Sequence, residues 1–331
     1  MIGKTNVPPS VMYHSMIIVT APTGSTVTCS NGSIVKTATE RNGTWTFRGI
    51  LTGTWTVTAT KNGLSTSKTI TFTRLEVEYV TLIYRSTPEF TYSGSCQIVR
   101  DDDTAISDFA SYIGNWKIRF LTSGTLKFTN LHNWNGRVDA FLVGGGGGTA
   151  PAYPTAGYSN SGAGGGYTAT KKSLTVSANQ NYTVAIGAGG AAGTNGGTSS
   201  FLSASAAGGK MGGDGGSGGG GSGSGDTWAG GQGGSNGSDG TQGYNPGGKG
   251  QGSTTKEFGE ASGIAYSGGG GGGGAFNIAD GGATGGGKGG NPNTQPTGGT
   301  ANTGGGAGGR YTYPTSGAAG GSGIVIIRNA R

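Results

Sequence analysis

The sequence predicts an all-β fold in two parts: an N-terminal β-sandwich, then a glycine-rich sandwich domain built as a polyglycine II helix bundle with short flanking strands. Three observations predict it. From Gly144 to Arg331, 66 of 188 residues are glycine. Short apolar segments punctuate that glycine: FLV (141–143), YTVAIG (182–187), SSFL (199–202) and GIVIIR (323–328). Ahead of it, residues 16–84 run as short alternating segments divided by turn residues, with Asn31-Gly32, Asn42-Gly43 and Asn62-Gly63 as hairpin signals.

The glycine half has two plainer readings. A flexible glycine-serine linker would not carry strand-like segments or close on four branched apolar residues. A collagen triple helix needs glycine at every third position and abundant proline, whereas the spacing is irregular and the chain has only 10 Pro. What remains is a bundle of extended three-per-turn helices. Such a helix has no internal hydrogen bonds, so each buried N–H and C=O must find a neighbouring helix. The seven-glycine run 268–274 has no side chain on any face and suits a central helix. The mixed run GGATGGGKGG (281–290) suits the periphery.

Residues 1–15 carry Pro8-Pro9 without periodicity and read as an N-terminal arm. Residues 16–85 read as a sandwich of seven short strands. In GTWTVTAT (53–60), Trp55, Val57 and Ala59 alternate with threonine, giving one apolar face. Residues 86–143 read as a β connector that packs with the domain after it. FTYSGSCQIV (90–99), KIRFLTSGTLKFTNL (117–131, split at Ser123-Gly124) and VDAFLV (138–143) are its strands, and TAISDFASYIG (104–114) is a candidate short helix. Residues 144–331 form the glycine-rich domain.

Charged residues are 11% of the chain and the formal net charge is +7. Within 144–331, nine Lys/Arg face six Asp/Glu with no basic cluster, which argues against nucleic-acid binding. Cys29 and Cys96 have no metal or redox spacing and read as free or buried thiols. The first residues lack signal-peptide architecture, and Met16–Val19 is far too short to span a membrane.

No catalytic constellation stands out. His14 and His132 have no nucleophile motif beside them, and GxSxG and HExxH are absent. GGKGQGS (247–253) lacks the spacing and the following helix of a phosphate-binding loop. Asp101-Asp102-Asp103 would suit a cation such as calcium or, equally, a solvated turn. The chain is read as a non-enzyme with no cofactor and no metal. Binding is the better use of the glycine half, because loops between glycine helices are free to vary. Its large side chains fall between glycine runs, and Tyr153, Tyr158, Trp228, Tyr244, Tyr266, Phe276, Tyr311 and Tyr313 are the candidate receptor contacts. Phe258 belongs to the same set of isolated rings, while Tyr167, Tyr182 and Phe201 abut strands and read as packing residues.

Two resemblances add to this. GTWTFRGILTGTWTVTATKNGLSTSKTITF resembles carboxypeptidase-regulatory-like and PEGA-type modules, which implies an immunoglobulin-like or transthyretin-like sandwich. FLVGGGGG (141–148), GAGGGY (162–167), YTVAIGAGG (182–190), GGGGGGG (268–274) and GGSGIVIIR (320–328), in that order, resemble the glycine-rich domain of bacteriophage tail-fibre and adhesin proteins. The connector is similar to the segment before that domain in phage proteins of gut-dwelling Gram-positive hosts. The resemblance implies a virion protein made in the host cytoplasm, released by lysis, and acting as a host-recognition adhesin. A decoration or baseplate protein and a secreted bacterial surface adhesin are the alternatives. Implied partners are a cell-surface glycan or protein receptor, other virion proteins at the N-terminal region, and, in the absence of a fibre shaft, an open choice about homotrimer formation.

Overall fold

The computed structural model describes residues 14–61, 64–82, 87–112, 114–132, 134–151, 159–221, 256–274, 278–282, 284–311 and 316–331. The chain divides into two units: 1–88 with 108–114 and 132–134, and 89–107 with 115–131 and 135–331.

In the first unit, strands β1 (Ser15–Thr20), β4 (Thr44–Ile50) and β7 (Val77–Thr81) form one sheet in the order β4-β1-β7. Strands β2 (Thr26–Ser30), β3 (Val35–Thr37), β5 (Gly53–Lys61) and β6 (Leu64–Phe72) form the other, in the order β3-β2-β5-β6. The two sheets share one core, which includes Ile17, Val19, Val27, Cys29, Trp45, Phe47, Trp55, Val57, Ala59 and Phe72. The period-two alternation of GTWTVTAT is the reason: Trp55, Val57 and Ala59 are 1%, 0% and 0% exposed, while Thr54, Thr56, Thr58 and Thr60 turn outward. Asn42 and Gly43 both take positive φ (51° and 73°) between Arg41 and Thr44, the backbone that a two-residue hairpin demands. The turn at Asn62-Gly63 lies outside the described residues.

The second unit takes in strands on both sides of Gly144. Strands β9 (Cys96–Val99), β10 (Lys117–Phe120), β12 (Arg137–Val143), β13 (Thr168–Thr175) and β17 (Ile324–Asn329) make a sheet in the order β13-β12-β17-β10-β9. Strands β8 (Glu89–Tyr92), β11 (Gly124–Asn130), β14 (Asn181–Ala185), β15 (Ser199–Phe201) and β16 (Ala204–Ala206) make a second, in the order β16-β15-β14-β11-β8. The C-terminal strand is therefore the middle of its sheet, antiparallel to β12 on one side and β10 on the other. Its apolar run is explained by burial on both faces. Phe141, Val143, Ile324 and Ile326 pack with Phe258 and Tyr266. The alternate residues Ala140, Leu142, Val325 and Ile327 point the other way, where Phe120 of β10 meets Tyr92 of β8 at 4.6 Å.

The candidate helix at 104–114 does not form. The described residues there are turns and bends, with Ala105 bridged to Val99. Asp108 accepts the amides of Ala110 and Ser111, a local side-chain bond that competes with helix formation. Residues 108–114 group with the first unit, where Thr87 Oγ1 donates to the Phe109 carbonyl, so 86–143 is not one connector body.

Glycine rods run out from these strands, and their hydrogen bonds follow a three-residue rule. In 144–149, Gly144 and Gly147 donate to Tyr167 and Gly164, Gly145 and Gly148 to Gly197 and Thr194, and Gly146 and Thr149 to Gly321 and Ala318, all at 2.9–3.0 Å. Each third residue meets the same neighbour, so this one rod donates to three others. Its carbonyls accept from further segments, at Gly190, Gly209 and Ala307. The rod at 162–167 repeats the pattern toward 217–220, 304–307 and 207–210. This is a three-per-turn helix whose backbone groups are satisfied only by neighbours.

Glycine is required by distance. A Cβ on Gly166 would fall within 3.0 Å of the Gly144 carbonyl, and one on Gly270 within 3.0 Å of the Ala307 carbonyl. The run Gly268 to Gly274 is buried throughout. It donates to 284–290 in parallel (Gly268 to Thr284, Gly271 to Gly287, Gly274 to Gly290) and to Ala163 and Asn160 in the antiparallel sense. In the peripheral rod Lys288 is exposed and pairs with Asp280 at 3.1 Å.

Candidate functional site: the lattice tip and the charged strap

One end of the rods meets the sheets, since Gly144 follows β12, Ala207 follows β16 and Gly323 precedes β17. At the other end the chain crosses between rods. There the Asn160 amide donates to the Arg310 carbonyl at 2.8 Å, Gly273 to Asn160 at 2.9 Å, Gly274 to Gly290 at 3.0 Å and Gly290 to Gly309 at 2.8 Å. Described residues on both sides of 152–158, 275–277 and 312–315 thus share one tip of the lattice.

Two buried polar side chains brace that tip. Asn160, 4% exposed, donates through Nδ2 to the carbonyls of Ala150 and Pro151 at 2.9 and 2.7 Å, closing the base of 152–158. Thr149, fully buried, donates through Oγ1 to the Gly308 carbonyl at 2.7 Å and accepts the Ala318 amide at 2.9 Å. A tight turn at 291–294 is held by the Asn291 carboxamide oxygen accepting the Asn293 amide at 2.9 Å.

Of the candidate receptor contacts, Tyr153, Tyr158, Trp228, Tyr244, Phe276 and Tyr313 lie outside the described residues. Tyr311 is at the tip, half-buried and bridged to Ser159. Tyr266 is a correction. It is 4% exposed, its ring lies 5.5 Å from that of Phe141, and its hydroxyl donates to Glu257 at 2.8 Å. It belongs to the core because it precedes the central glycine run and covers the sheet. Phe258 is likewise 5% exposed, with the Arg328 guanidinium 3.9 Å from its ring centroid.

Tyr266 and Phe258 belong to a strap, residues 256–266, that crosses the β12-β17-β10 face. One half of that face is apolar and the other charged. Lys117 reaches Asp103 at 2.7 Å and Glu257 at 2.8 Å. Arg119 pairs with Glu257, reaches Asp103 at 3.3 Å and donates to the Tyr266 hydroxyl at 3.1 Å. Arg328 bridges Asp139 at 3.3 Å and Glu260 at 2.7 Å. Burial pushes the Glu257 carboxyl up, but hydrogen bonds and charge from Lys117 and Arg119 outweigh it and hold it below its ordinary range. Burial, then the Glu257 charge, pushes the Tyr266 hydroxyl far up, so it stays protonated. The Glu260 carboxyl is held low by its hydrogen bond from Arg328.

A cleft of about 200 Å³ opens beside this cluster, lined by Asp101, Asp103, Glu257, Glu260, Arg328 and Arg331 among others. Its charges are matched: Asp101 pairs with Arg331, Asp103 with Lys117, and Glu260 with Arg328. Asp102 accepts the Thr104 amide at 3.0 Å, the mark of an Asx turn. The Asp101–Asp103 run is therefore spent on ion pairs and a turn. Among the described residues, no group of three or more His, Cys, Asp or Glu is placed to hold a metal.

A family model described as a glycine-rich domain matches residues 122–330, well over half of the chain. The chain belongs to the glycine-rich domain family. The match runs from β11 to β17 and leaves out β8, β9 and β10. The sheet around β17 is nevertheless completed by β10 and β9. Lys117 and Arg119 thus lie before the family's matched span, while their partner Glu257 lies within it. Comparison with curated protein sequences gives no match. Among solved structures, a DUF3823 family protein from Bacteroides ovatus ATCC 8483 aligns over 60% of this chain and 96% of its own at 11% identity, with a TM-score of 0.17. A score that low bears on nothing further. No helix among the described residues is long and apolar enough to cross a membrane.

Proposed function

We propose that this glycine-rich domain protein is a virion protein of a phage or prophage, serving as the host-recognition adhesin of a tail or head fibre. One observation carries the reading: the backbone lattice brings described residues flanking 152–158, 275–277 and 312–315 to a single tip. Tyr153, Tyr158, Phe276, Tyr311 and Tyr313 belong to that part of the sequence, and the fixed lattice lets the intervening segments differ without disturbing the rods. Tyrosine at such a place gives large amphipathic contact area at low entropic cost, the chemistry of glycan and protein hot spots. The N-terminal sandwich acts as the spacer or attachment module.

The test is adsorption. Full-length protein is added to host cells with the virion, and a variant has 152–158 and 312–315 replaced by glycine-serine of equal length. The wild-type chain is expected to bind cells and compete with virion adsorption, and the variant to fold but not compete. Normal adsorption of virions lacking the protein would overturn the adhesin role and favour a decoration or baseplate role. Cell-surface display by the producing bacterium itself would favour a bacterial adhesin.

A further inference from the structure

The N-terminal unit carries a groove whose chemistry is independent of the adhesin reading. A groove of about 550 Å³ runs beside edge strand β4, lined by Ala38, Thr39, Arg41, Thr44, Thr46 and Arg48. Its lining is three threonines, two arginines and one alanine. Trp45 and Phe47 turn into the core, 2% and 1% exposed, so Thr46 and Arg48 are presented outward by strand alternation. Arg41 is fixed by the Asn42-Gly43 hairpin that follows it, and its backbone pairs with Thr44 at 2.9 and 3.1 Å.

Neither Arg41 nor Arg48 makes a side-chain hydrogen bond or ion pair with the described residues, and both are exposed. The nearby acid, Glu40, is engaged elsewhere, accepting the amides of Gly24 at 2.8 Å and Gly43 at 3.2 Å. Two guanidiniums in the groove lining, with the nearby carboxylate occupied, suit the dianion of a phosphate ester at neutral pH. Guanidiniums recognise its oxygens in bidentate fashion.

The same sheet face offers a platform for a ring. Thr46 pairs with Ile18, and Ile18 with Tyr79, so the three lie in one row across β4-β1-β7. Tyr79 is 72% exposed. At a strand spacing of about 4.8 Å it stands about 10 Å from Thr46. An exposed aromatic ring in one row with the groove suits the face of a sugar whose phosphoryl group lies in the groove.

We propose that the β4-β1-β7 face and its arginine groove bind a phosphorylated glycan, with Arg41 and Arg48 on the phosphoryl group and Tyr79 under a sugar ring. The test is calorimetric titration of the full chain with glucose 6-phosphate, glucose and inorganic phosphate at one ionic strength. Glucose 6-phosphate is expected to bind at least about tenfold more tightly than either part alone, and more weakly as salt is raised. Arg41→Gln and Arg48→Gln should each weaken it about tenfold. Tyr79→Ala should weaken glucose 6-phosphate while leaving phosphate unchanged. All three positions are exposed, so unchanged thermal unfolding certifies the variants. Equal binding of inorganic phosphate and glucose 6-phosphate, or wild-type affinity in both arginine variants, would overturn the proposal.

Discussion

Lys117 and Glu257 stand 140 residues apart in the chain yet meet at 2.8 Å, with side chains 6% and 4% exposed. They tie the strap to the strand next to the C-terminal one. Removing a buried charge that its partners need costs about 3–5 kcal/mol, and without Glu257 both Lys117 and Arg119 are left to share the Asp103 carboxylate. Glu257→Ala should therefore destabilise the second unit by roughly that amount, read by chemical denaturation.

The same pair sets an acid limit. Because the folded Glu257 carboxyl is held below its ordinary range, it contributes stability fully present above its unfolded pKa. That contribution is lost as pH falls through the folded value. Melting temperature of the wild-type chain should thus drop more steeply below about pH 4 than that of Glu257→Ala. Parallel curves would count against the assignment.

The rods should punish a single methyl. Gly166→Ala and Gly270→Ala each press a Cβ against a neighbouring carbonyl that the whole lattice holds in place. Overpacking against movable side chains costs about 1–3 kcal/mol, and fixed backbone puts these variants at or above the top of that range. Gly213, with nothing within 4 Å of its would-be Cβ, is the control. Gly213→Ala should unfold like the wild type in the same thermal scan.

Removal of residues 324–331 should abolish the second unit. β17 supplies the centre of its sheet, so its loss separates β12 from β10 and opens both apolar faces. The truncated chain should lose amide-exchange protection across the glycine rods, while 14–82 keeps its own.

Asn160→Ala should loosen the tip without unfolding the rods. Two carbonyls lose their donor at the base of 152–158, a loss of about 1–3 kcal/mol. Under the adhesin reading, cell binding falls with it, while exchange protection at 144–149 is kept.

Cys29 should be inert. It is fully buried in the N-terminal core, and burial pushes its thiol up to about 11. A disulfide reagent at pH 8 should label Cys96, which is half-buried, well before Cys29, and label Cys29 only on unfolding.

Much of this was legible in the chain because two periods are simple. Alternation in GTWTVTAT gave the inward Trp55, Val57 and Ala59, and the branched run at 323–328 gave β17. The bare run 268–274 marked a central rod because it has no side chain on any face, and it is buried throughout. The misses have separate causes. Strand β13 reads TATKKSLT, which carries no apolar signature, and only its first residue is buried. The 104–114 segment has helix-like spacing that Asp108 overrides locally. Tyr266 looks like an isolated surface ring until the strap is folded onto Phe141. Asn160 and Thr149 carried no signal, because their partners are backbone carbonyls from rods distant in sequence.

The three-residue rule of the rods has a bearing on how such a chain can change length. Adding or deleting one residue inside 144–149 would rotate every later amide by a third of a turn and aim it at the wrong neighbour. Adding or deleting three would restore the aim and shift the rod by one step along its axis. Insertions within rods are thus quantised in threes, whereas the crossings at the tip can take any number. A family built this way can be searched for that arithmetic in its gap lengths.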